Sequence, residues 1–304
     1  MTHIPVLLNE ILQLIRLKDG DRVLDCTFGG GGHTTAILDA KSCYVYGLDR
    51  DPEAEERARD VKLKYNERFD FKQQNFSNIS KTFAKQKKFD AVLFDFGISS
   101  FQVDKAQRGF SFTKDAKLDM RMSNEGISAY DVINTFSEKN LADILRTYGD
   151  EMHSKKIASA IVNLRQKQPI ETTLQLANIV KKAKQSSFVR KKYSKIDVAT
   201  KTFQAIRIFV NDELREISIA LESLPKILNN RARIAIISFH SLEDRVVKNW
   251  AKTNKNIIIP INRSVIKPSS EEISKNPRAR SAILRGFWYN ESGSGCEEGG
   301  GKIE

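Results

Sequence analysis

Cysteine is scarce in this sequence, and its few occurrences form no recognisable pattern. Cys26, Cys43 and Cys296 are the only three in 304 residues, and none belongs to a C-x-x-C pair or has metal-ligand spacing. This scarcity argues against a disulfide-stabilised secreted protein and against a structural zinc site. It predicts a reducing, cytoplasmic location.

Long apolar runs and an export signal are also missing. No apolar stretch approaches the length of about 18 residues that makes a transmembrane helix a candidate. The amino-terminal MTHIPVLLNEIL has no basic segment before its short apolar stretch and no small-residue cleavage site. The sequence therefore predicts neither a membrane partner nor secretion.

Acidic residues are outnumbered by basic ones. Fifty Lys and Arg stand against 38 Asp and Glu, which gives a formal net charge of +12. Such a balance favours polyanionic partners, with nucleic acid first and a membrane surface far behind. A genome-wide bias toward lysine would account for part of the excess, so charge alone does not identify the partner.

A glycine run organises the chain. In DRVLDCTFGGGGHT an apolar stretch ends at Asp25, and Gly29 to Gly32 precede a segment with helical spacing. Glycine suits such a turn because it adopts positive φ and lets the backbone approach a ligand. The next apolar stretch, YVYGLDRD, places Asp49 twenty residues after Gly29, the spacing of an acid that binds ribose hydroxyls. An ordinary strand-to-helix connection is the plainer alternative.

The glycine run lacks two features of phosphate-binding loops. The third glycine of G-x-G-x-x-G is absent, because the sixth position from Gly29 is Thr34 and from Gly30 is Thr35. No lysine follows the glycines as it does in a P-loop. These absences argue against pyrophosphate and against an NAD-type oxidoreductase. Adenosine without phosphates, as in S-adenosylmethionine, fits the pattern better.

Further apolar stretches end in polar residues. FDFKQQNFSNI leads to Asn75 and Phe76, and KFDAVLFDFGISS leads to Asp95. The ligand crevice of an open parallel sheet lies outside the carboxyl ends of its strands, so Asp25, Asp49, Asn75 and Asp95 are expected to meet there. Phe76 is expected either to cover an adenine ring or to pack in the core.

The alternation of strands and helices breaks between Val103 and Thr202, where three amphipathic segments have helical spacing and none resembles a strand. We predict a sheet domain of residues 1–102 and 203–290, a helical insertion of 103–202, and a disordered Gly, Ser and Glu tail of 291–304. One long helix, FQAIRIFVNDELREISIALESLPKIL, is expected to end or bend near Pro225. The strand Ile234 to Ser238 and the closing strands IIIPINR and AILRGFWY should follow it.

A basic run at the end of the insertion suits RNA. Lys181 to Lys195 hold seven basic residues and no acid, with Phe188 and Tyr193 between them. Positive charge combined with aromatic stacking groups is typical of single-stranded RNA binding. A solvated loop is the alternative.

Ten blocks in order resemble one family, the bacterial small-subunit ribosomal RNA cytosine-N4 methyltransferases, or MraW (RsmH) family. They span residues 3 to 285, nearly the whole chain. The matching blocks are HIPVLLNE, DCTFGGGGHT, GLDRDP, FDFGISSFQVD, RGFSF, LDMRM, TTLQLA, ATKTFQAIRIFVNDEL, SFHSLEDRVVK and NPRARSAILR.

The resemblance implies an α/β, Rossmann-like methyltransferase sheet with an inserted all-helical RNA-recognition subdomain. It implies S-adenosyl-L-methionine as methyl donor, and as substrate one cytidine of the decoding centre of 16S rRNA within the small ribosomal subunit. By position, it also implies a set of donor-binding residues: Gly31, Gly32, His33, Asp49, Phe76, Asp95 and Gln102.

The implied chemistry is attack of an exocyclic amine on a sulfonium methyl group, which requires positioning rather than a metal or a nucleophilic side chain. Asp95 is the expected catalytic residue, because a carboxylate at this strand end could accept the amine protons and orient the lone pair. The base must leave its stack to react. Phe110 or Phe112 is expected to stack on it, and Arg108 to hold the adjacent phosphate. Packing of the insertion is the plainer role of the two phenylalanines.

Residues near the carboxyl terminus complete the expected RNA contacts. His240 and Asp244 of SFHSLEDR follow a strand and are expected to shape the base pocket, although a structural histidine is the commoner case. The phosphate contacts are predicted at Arg278 and Arg280, together with the run Arg190, Lys191 and Lys192.

Two other functions remain open on sequence grounds. A non-catalytic RNA-binding factor of ribosome assembly would account for the charge of +12 but needs no methyl donor. A methyltransferase that acts on DNA or on a different amine would share the same crevice, because the cytosine-N4 substrate follows from the resemblance alone.

Overall fold

The computed structural model describes residues 5–185 and 197–291, in a chain that divides into two compact units. Unit 1 comprises Met1–Gly97 and Leu214–Glu304, and unit 2 comprises Ile98–Glu213. The predicted boundaries at 103 and 202 both fall within unit 2. The second one lies inside the helix Thr200–Val210, which packs into the helical core of that unit.

Strands and helices alternate through residue 95, and helices alone follow until residue 223. The first part contains α1 (Leu8–Ile15), β1 (Arg22–Asp25), α2 (Gly32–Ala40), β2 (Tyr44–Asp49), α3 (Ala54–Tyr65), β3 (Phe69–Gln73), α4 (Ile79–Phe83) and β4 (Phe89–Asp95). The helical part contains α5 (Ser100–Asp104), α6 (Ala129–Thr135), α7 (Glu138–Gly149), α8 (Ser154–Arg165), α9 (Thr173–Gln185), α10 (Thr200–Val210) and α11 (Glu213–Ser223). The last part contains β5 (Leu228–Ser238), α12 (Ser241–Thr253), β6 (Ile258–Pro260), α13 (Ser270–Lys275) and β7 (Ile283–Tyr289).

Unit 1 is built on a seven-stranded sheet with the order β3-β2-β1-β4-β5-β7-β6. Strands β1 to β5 pair in parallel, and β7 runs antiparallel to both β5 and β6. The predicted α/β sheet and its two closing strands are therefore confirmed. Asp25, Asp49 and Asp95 are the last residues of β1, β2 and β4.

Both faces of the sheet are buried, as helix crossovers between parallel strands require. Leu24, Val92 and Phe94 belong to one apolar cluster. Val23 and Leu93, their chain neighbours, belong to the other. This period of two is the alternation of strand side chains between faces, and it fixes which strand-end side chains share a face.

The prediction of one long helix after residue 202 is wrong. Helix α10 ends at Val210, α11 begins at Glu213, and Asp212 between them has a φ of 48°. The buried Asn211 amide donates to the carbonyl of Met120 and accepts from the N–H of Met122, both at 2.8 Å. These bonds stabilise the break. The predicted end near Pro225 is confirmed, since α11 stops at Ser223.

Unit 2 has its own apolar core, formed by α6 to α10 and the segment around Leu118. A buried ion pair between Lys184 and Glu151, 2.7 Å apart, holds the end of α9. The basic residues Arg190, Lys191 and Lys192 and the aromatic Phe188 and Tyr193 lie outside the described residues, as does the tail from 292. No helix in the described part of the chain combines the length and apolar character needed to cross a membrane.

Candidate active site

The glycine turn between β1 and α2 is held from two sides. The Gly29 N–H donates to Asp49 Oδ2 at 2.7 Å, and the Gly29 carbonyl accepts from Arg57 Nε at 2.8 Å. The other oxygen of Asp49 accepts from the Asp51 N–H at 2.8 Å. Asp49, the predicted ribose acid, therefore also fixes the shape of the turn.

Two of the glycines are required by packing as well as by any ligand. A Cβ on Gly31, which has a φ of 74°, would lie 2.7 Å from the Phe28 ring. A Cβ on Gly32 would lie 2.6 Å from Pro5 Cγ. The positive φ of Gly31 agrees with one of the two sequence-based reasons for glycine here, and these packing contacts are a further reason that the sequence did not indicate.

Phe28 anchors the turn to the sheet, a role that sequence reasoning missed. Its ring is buried and lies 5.5 Å from that of Phe69 and 5.2 Å from that of Phe71. Its backbone N–H donates to the carbonyl of Leu48 at 2.8 Å. An aromatic residue directly before the glycines was the available signal, because a glycine run cannot anchor itself through side chains.

Asp25 and Asp95 are joined by one threonine. The Thr27 N–H donates to Asp25 Oδ1 at 3.1 Å, and the Thr27 hydroxyl accepts from the Asp95 N–H at 2.7 Å. The Thr34 hydroxyl donates to the second Asp25 oxygen at 2.7 Å. Burial raises the pKa of Asp25 to about 6, although the hydrogen bonds from Thr34 and Thr27 oppose this shift.

Asp95 has the most perturbed carboxyl group at these strand ends. Burial, followed by the negative charges of Asp25 and Glu243, raises its pKa to about 8. Its Oδ1 is buried and has no hydrogen-bond partner among the described residues, while the side chain as a whole keeps 22% exposure. One carboxyl group thus combines a raised pKa with partial exposure to solvent.

His33 faces Asp95 as a neutral ring. Burial lowers the pKa of His33 to about 4. Its Nε2 lies 2.9 Å from the carbonyl oxygen of Val6 and must be the protonated nitrogen, since a carbonyl only accepts. Its Nδ1, with a free lone pair, lies 3.9 Å from Asp95 Oδ2. The structure thus brings together His33 and Asp95, two of the predicted site residues.

Phe76 lies beyond the end of β3, in a short 3₁₀ turn that Asn75 caps by accepting from the Ser77 N–H. Its ring is partly buried and packs 5.8 Å from Phe94 and 6.0 Å from Phe96. The aromatic side chain therefore has a core contact on one side and retains exposed surface on the other.

His240 and Glu243 form a reciprocal cap at the start of α12. His240 Nδ1 accepts from the Glu243 N–H at 3.4 Å, and Glu243 Oε2 accepts from the His240 N–H at 3.3 Å and from the Phe239 N–H at 2.7 Å. Glu243 is fully buried, and its charge contributes to the raised pKa of Asp95. Asp244 holds Arg285 through two hydrogen bonds of 2.7 and 3.2 Å. A structural role for His240 and Asp244 is therefore shown, and a base-pocket role stays a prediction.

Four predicted site residues lie in unit 2. Gln102 is 5% exposed and completes a capping box with Ser99. Arg108 Nη2 donates to the carbonyls of Arg121 and Met122, at 3.0 Å each. Phe110 is buried, whereas Phe112 is partly buried against Phe203, with ring centroids 4.7 Å apart.

Arg278 and Arg280 belong to unit 1, in the 3₁₀ turn Pro277–Ser281. Both are exposed, and Ala279 between them is buried and anchors the turn. Their exposure is compatible with the predicted phosphate contacts, which remain a prediction.

Comparison with known proteins identifies the family. The family model of the MraW methylase family matches residues 1–289. Ribosomal RNA small subunit methyltransferase H of Rickettsia massiliae (strain Mtu5) is 46% identical, over 93% of this chain and 97% of the relative. The protein of the same name from Rickettsia canadensis (strain McKiel) is 47% identical, over 93% and 96%. The chain therefore belongs to the MraW methylase family, a family of S-adenosylmethionine-dependent methyltransferases.

Proposed function

We propose that this chain methylates the N4 amine of a P-site cytidine in the decoding centre of 16S rRNA, acting on the small ribosomal subunit in the cytoplasm. Family membership supports methyl transfer, and the names of the relatives support ribosomal RNA of the small subunit as substrate. The observation that carries the proposal concerns Asp95, whose carboxyl group lies at a strand end. One of its oxygens is buried and has no hydrogen-bond partner among the described residues, and its pKa is raised to about 8.

The residues at the strand ends of unit 1 fit the donor. Each Asp49 oxygen accepts one backbone N–H and keeps a lone pair that a ribose hydroxyl can use. We assign the nucleoside contacts to Gly31, Gly32, Asp49 and Phe76, with His33 and Asp95 toward the sulfonium end. Gln102 of unit 2 is a further proposed contact.

The donor, when bound, supplies a methyl group that its sulfonium charge has already activated. Asp95 in its ionised form accepts a hydrogen bond from the cytosine amine, which turns the nitrogen lone pair away from the carboxylate. As the new N–C bond forms, the bond between the methyl group and sulfur breaks, and the demethylated donor leaves as a neutral thioether. The amine loses one proton, and Asp95 takes it. A carboxyl group with a pKa near 8 is well matched to this exchange, because general bases work best near the ambient pH.

Substrate contacts are proposed at residues of both units. Phe112 keeps partial exposure and is the better candidate for stacking on the base, whereas Phe110 and Arg108 support the segment that carries it. His240 would border the base pocket, and Arg278 and Arg280 would contact phosphates of the flanking strand.

The test is methyl transfer to small subunits that lack the modification, followed by mass-spectrometric mapping of the methylated nucleotide. We expect one N4-methylated cytidine and its loss in Asp95→Asn, with Asp90→Asn, at a β4 position remote from the strand end, as the matched control. Methylation of carbon 5, of another base or of protein would contradict the proposal.

A further inference from the structure

A second concave surface of unit 1 lies at the edge of the sheet, away from the glycine turn. It has a volume of about 440 Å³ and is formed by α12, β6, β7 and the turn that follows β6. We call it the basic groove. Its lining includes five cationic side chains and, within the described part of the chain, no acidic one: Lys248, Lys252, Lys255, Arg263 and Arg285.

Most of this positive charge is not compensated by the protein. In residues 5–185 and 197–291, no acidic group lies within 4.0 Å of Lys252, Lys255 or Arg263. Arg285 and Lys248 share one carboxylate, that of Asp244, at 2.7 and 3.8 Å. Like charges four residues apart on a helix, such as Lys248 and Lys252, are unfavourable unless an anion lies between them.

The apolar part of the lining indicates which class of anion the groove would bind. Ile259 and Pro260 contribute apolar surface beside the cations. A strand of nucleic acid presents a row of phosphates with sugars and bases attached, and it fits a concave surface that offers both features. None of the exposed large apolar side chains of the described residues lines the groove, so it lacks the projecting anchors of a membrane-binding face.

The sheet register relates the groove to the reaction site within unit 1. Asp95 pairs with Ile237 of β5, which pairs with Leu284 of β7. Arg285 of the groove follows directly, and its side chain lies on the other face of the sheet, because strand side chains alternate between faces. Two strand spacings correspond to about 10 Å. We propose that the basic groove binds the phosphodiester backbone of the substrate RNA, beside the nucleotide that reacts. This inference rests on the proposed function for the identity of the RNA.

The experiment compares two triple variants of the full-length chain. The groove variant is Lys252→Gln, Lys255→Gln and Arg263→Gln. The control variant, Lys81→Gln, Lys85→Gln and Lys87→Gln, removes the same charge from exposed positions near the amino end of β4. The probe is a fluorescein-labelled single-stranded RNA of mixed sequence, and anisotropy gives its affinity between about 0.05 and 0.3 M KCl.

We expect the groove variant to lower the slope of log affinity against log salt by about 2, which corresponds to roughly 100-fold weaker binding at 0.1 M salt. The control variant should keep the wild-type slope. The charge-conserving variant Lys252→Arg, Lys255→Arg and Arg263→Lys should also keep it. Unchanged affinity for S-adenosylmethionine, measured by calorimetry, shows that unit 1 of each variant is folded.

Equal slopes for the groove and control variants would overturn the inference. So would a groove variant that loses only its binding to phosphatidylglycerol vesicles, because the surface would then be a membrane site. The results also distinguish a failure of the groove proposal from a failure of the proposed function. A wild type that methylates small subunits while the groove variant binds RNA normally rejects the groove alone. A wild type that binds RNA through the groove but methylates nothing rejects the proposed function alone.

Discussion

At the scale of single residues, the raised pKa of Asp95 lowers the stability of the folded protein, although the same property suits the proposed reaction. Its pKa is raised from 3.8 to about 8 by burial and by the charges of Asp25 and Glu243. The folded protein therefore holds a proton that the unfolded chain releases, and the contribution of Asp95 to the free energy of unfolding falls as pH rises from about 4 to 8. Functional groups commonly carry such a cost.

Asp95→Asn should therefore stabilise the protein without ligands. We expect a higher Tm than wild type at pH 8, by the equivalent of at least about 1 kcal/mol. The difference should shrink toward pH 4, where Asp95 stays protonated in the folded state and begins to take up a proton in the unfolded state. Thermal unfolding across this pH range checks the result. A variant less stable than wild type at pH 8 would show that the carboxylate is well solvated or paired.

The same substitution should abolish most of the methyl transfer. An amide cannot take the proton of the amine, and loss of a general base costs about 10²- to 10⁴-fold in rate. In the wild type, kcat/KM should rise with pH up to about 8 and then level off, since only ionised Asp95 accepts the proton. Single-turnover rates from pH 6 to 9 provide the measurement. A flat profile would assign proton removal to solvent.

At the scale of elements, the glycine turn and the start of α2 depend on the amino-terminal segment. Gly32 is the first residue of α2, and a Cβ there would meet Pro5 Cγ at 2.6 Å. Val6, the next residue, accepts the hydrogen bond of the His33 ring. A change at Gly32 should therefore displace the His33 ring, and this displacement should alter the surroundings of Asp95.

For Gly32→Ala, two physical effects predict opposite changes in stability. Helix propensity alone would make alanine more favourable by about 1 kcal/mol. The contact with Pro5 should outweigh this gain, because overpacking a fitted site costs about 1–3 kcal/mol. We expect a lower Tm and weaker donor binding for Gly32→Ala, and recovery of both when Pro5→Ala is added. Stabilisation by Gly32→Ala alone would mean that the amino-terminal segment does not press on the turn.

The elements also show how much of the fold could be predicted from the sequence. The strand ends at Asp25, Asp49 and Asp95 were predictable, because apolar runs that stop at an acid are local signals. The break at Asn211 was not, since the loop carbonyl and N–H that bind this side chain lie about 90 residues away in sequence. Neither was the contact of Gly32 with Pro5, which arises only when the chain folds back on itself.

The same holds for the candidate site, where residue types were predictable from the sequence and long-range hydrogen bonds were not. The residue types of the crevice could be chosen from the sequence, because strand polarity places them at one edge of the sheet. The hydrogen bonds that connect Asp25, Thr27 and Asp95 could not, since they depend on the register of two neighbouring strands and on the path of the turn. For Phe110, the buried position in the helical core favours the packing role that the sequence left open.

At the scale of the whole molecule, the charge of +12 predicts salt-dependent binding to RNA. Arg278 and Arg280 are exposed cations of unit 1 outside the basic groove. Replacing both with glutamine should reduce the slope of log affinity against log salt by about 1.4, at the single-strand value of about 0.7 per phosphate contact. Anisotropy titrations of the double variant measure this change. An unchanged slope would remove both residues from the RNA contacts.

The account as a whole depends on the crevice of unit 1 as the place where the donor binds, and calorimetric titration of S-adenosylmethionine and of its demethylated product tests it most directly. We predict that the wild type binds both with one site per chain. Asp49→Ala should bind each at least about tenfold more weakly, because it loses a ribose acceptor and the support of Gly29. Absence of binding by the wild type, or full affinity in Asp49→Ala, would contradict the account.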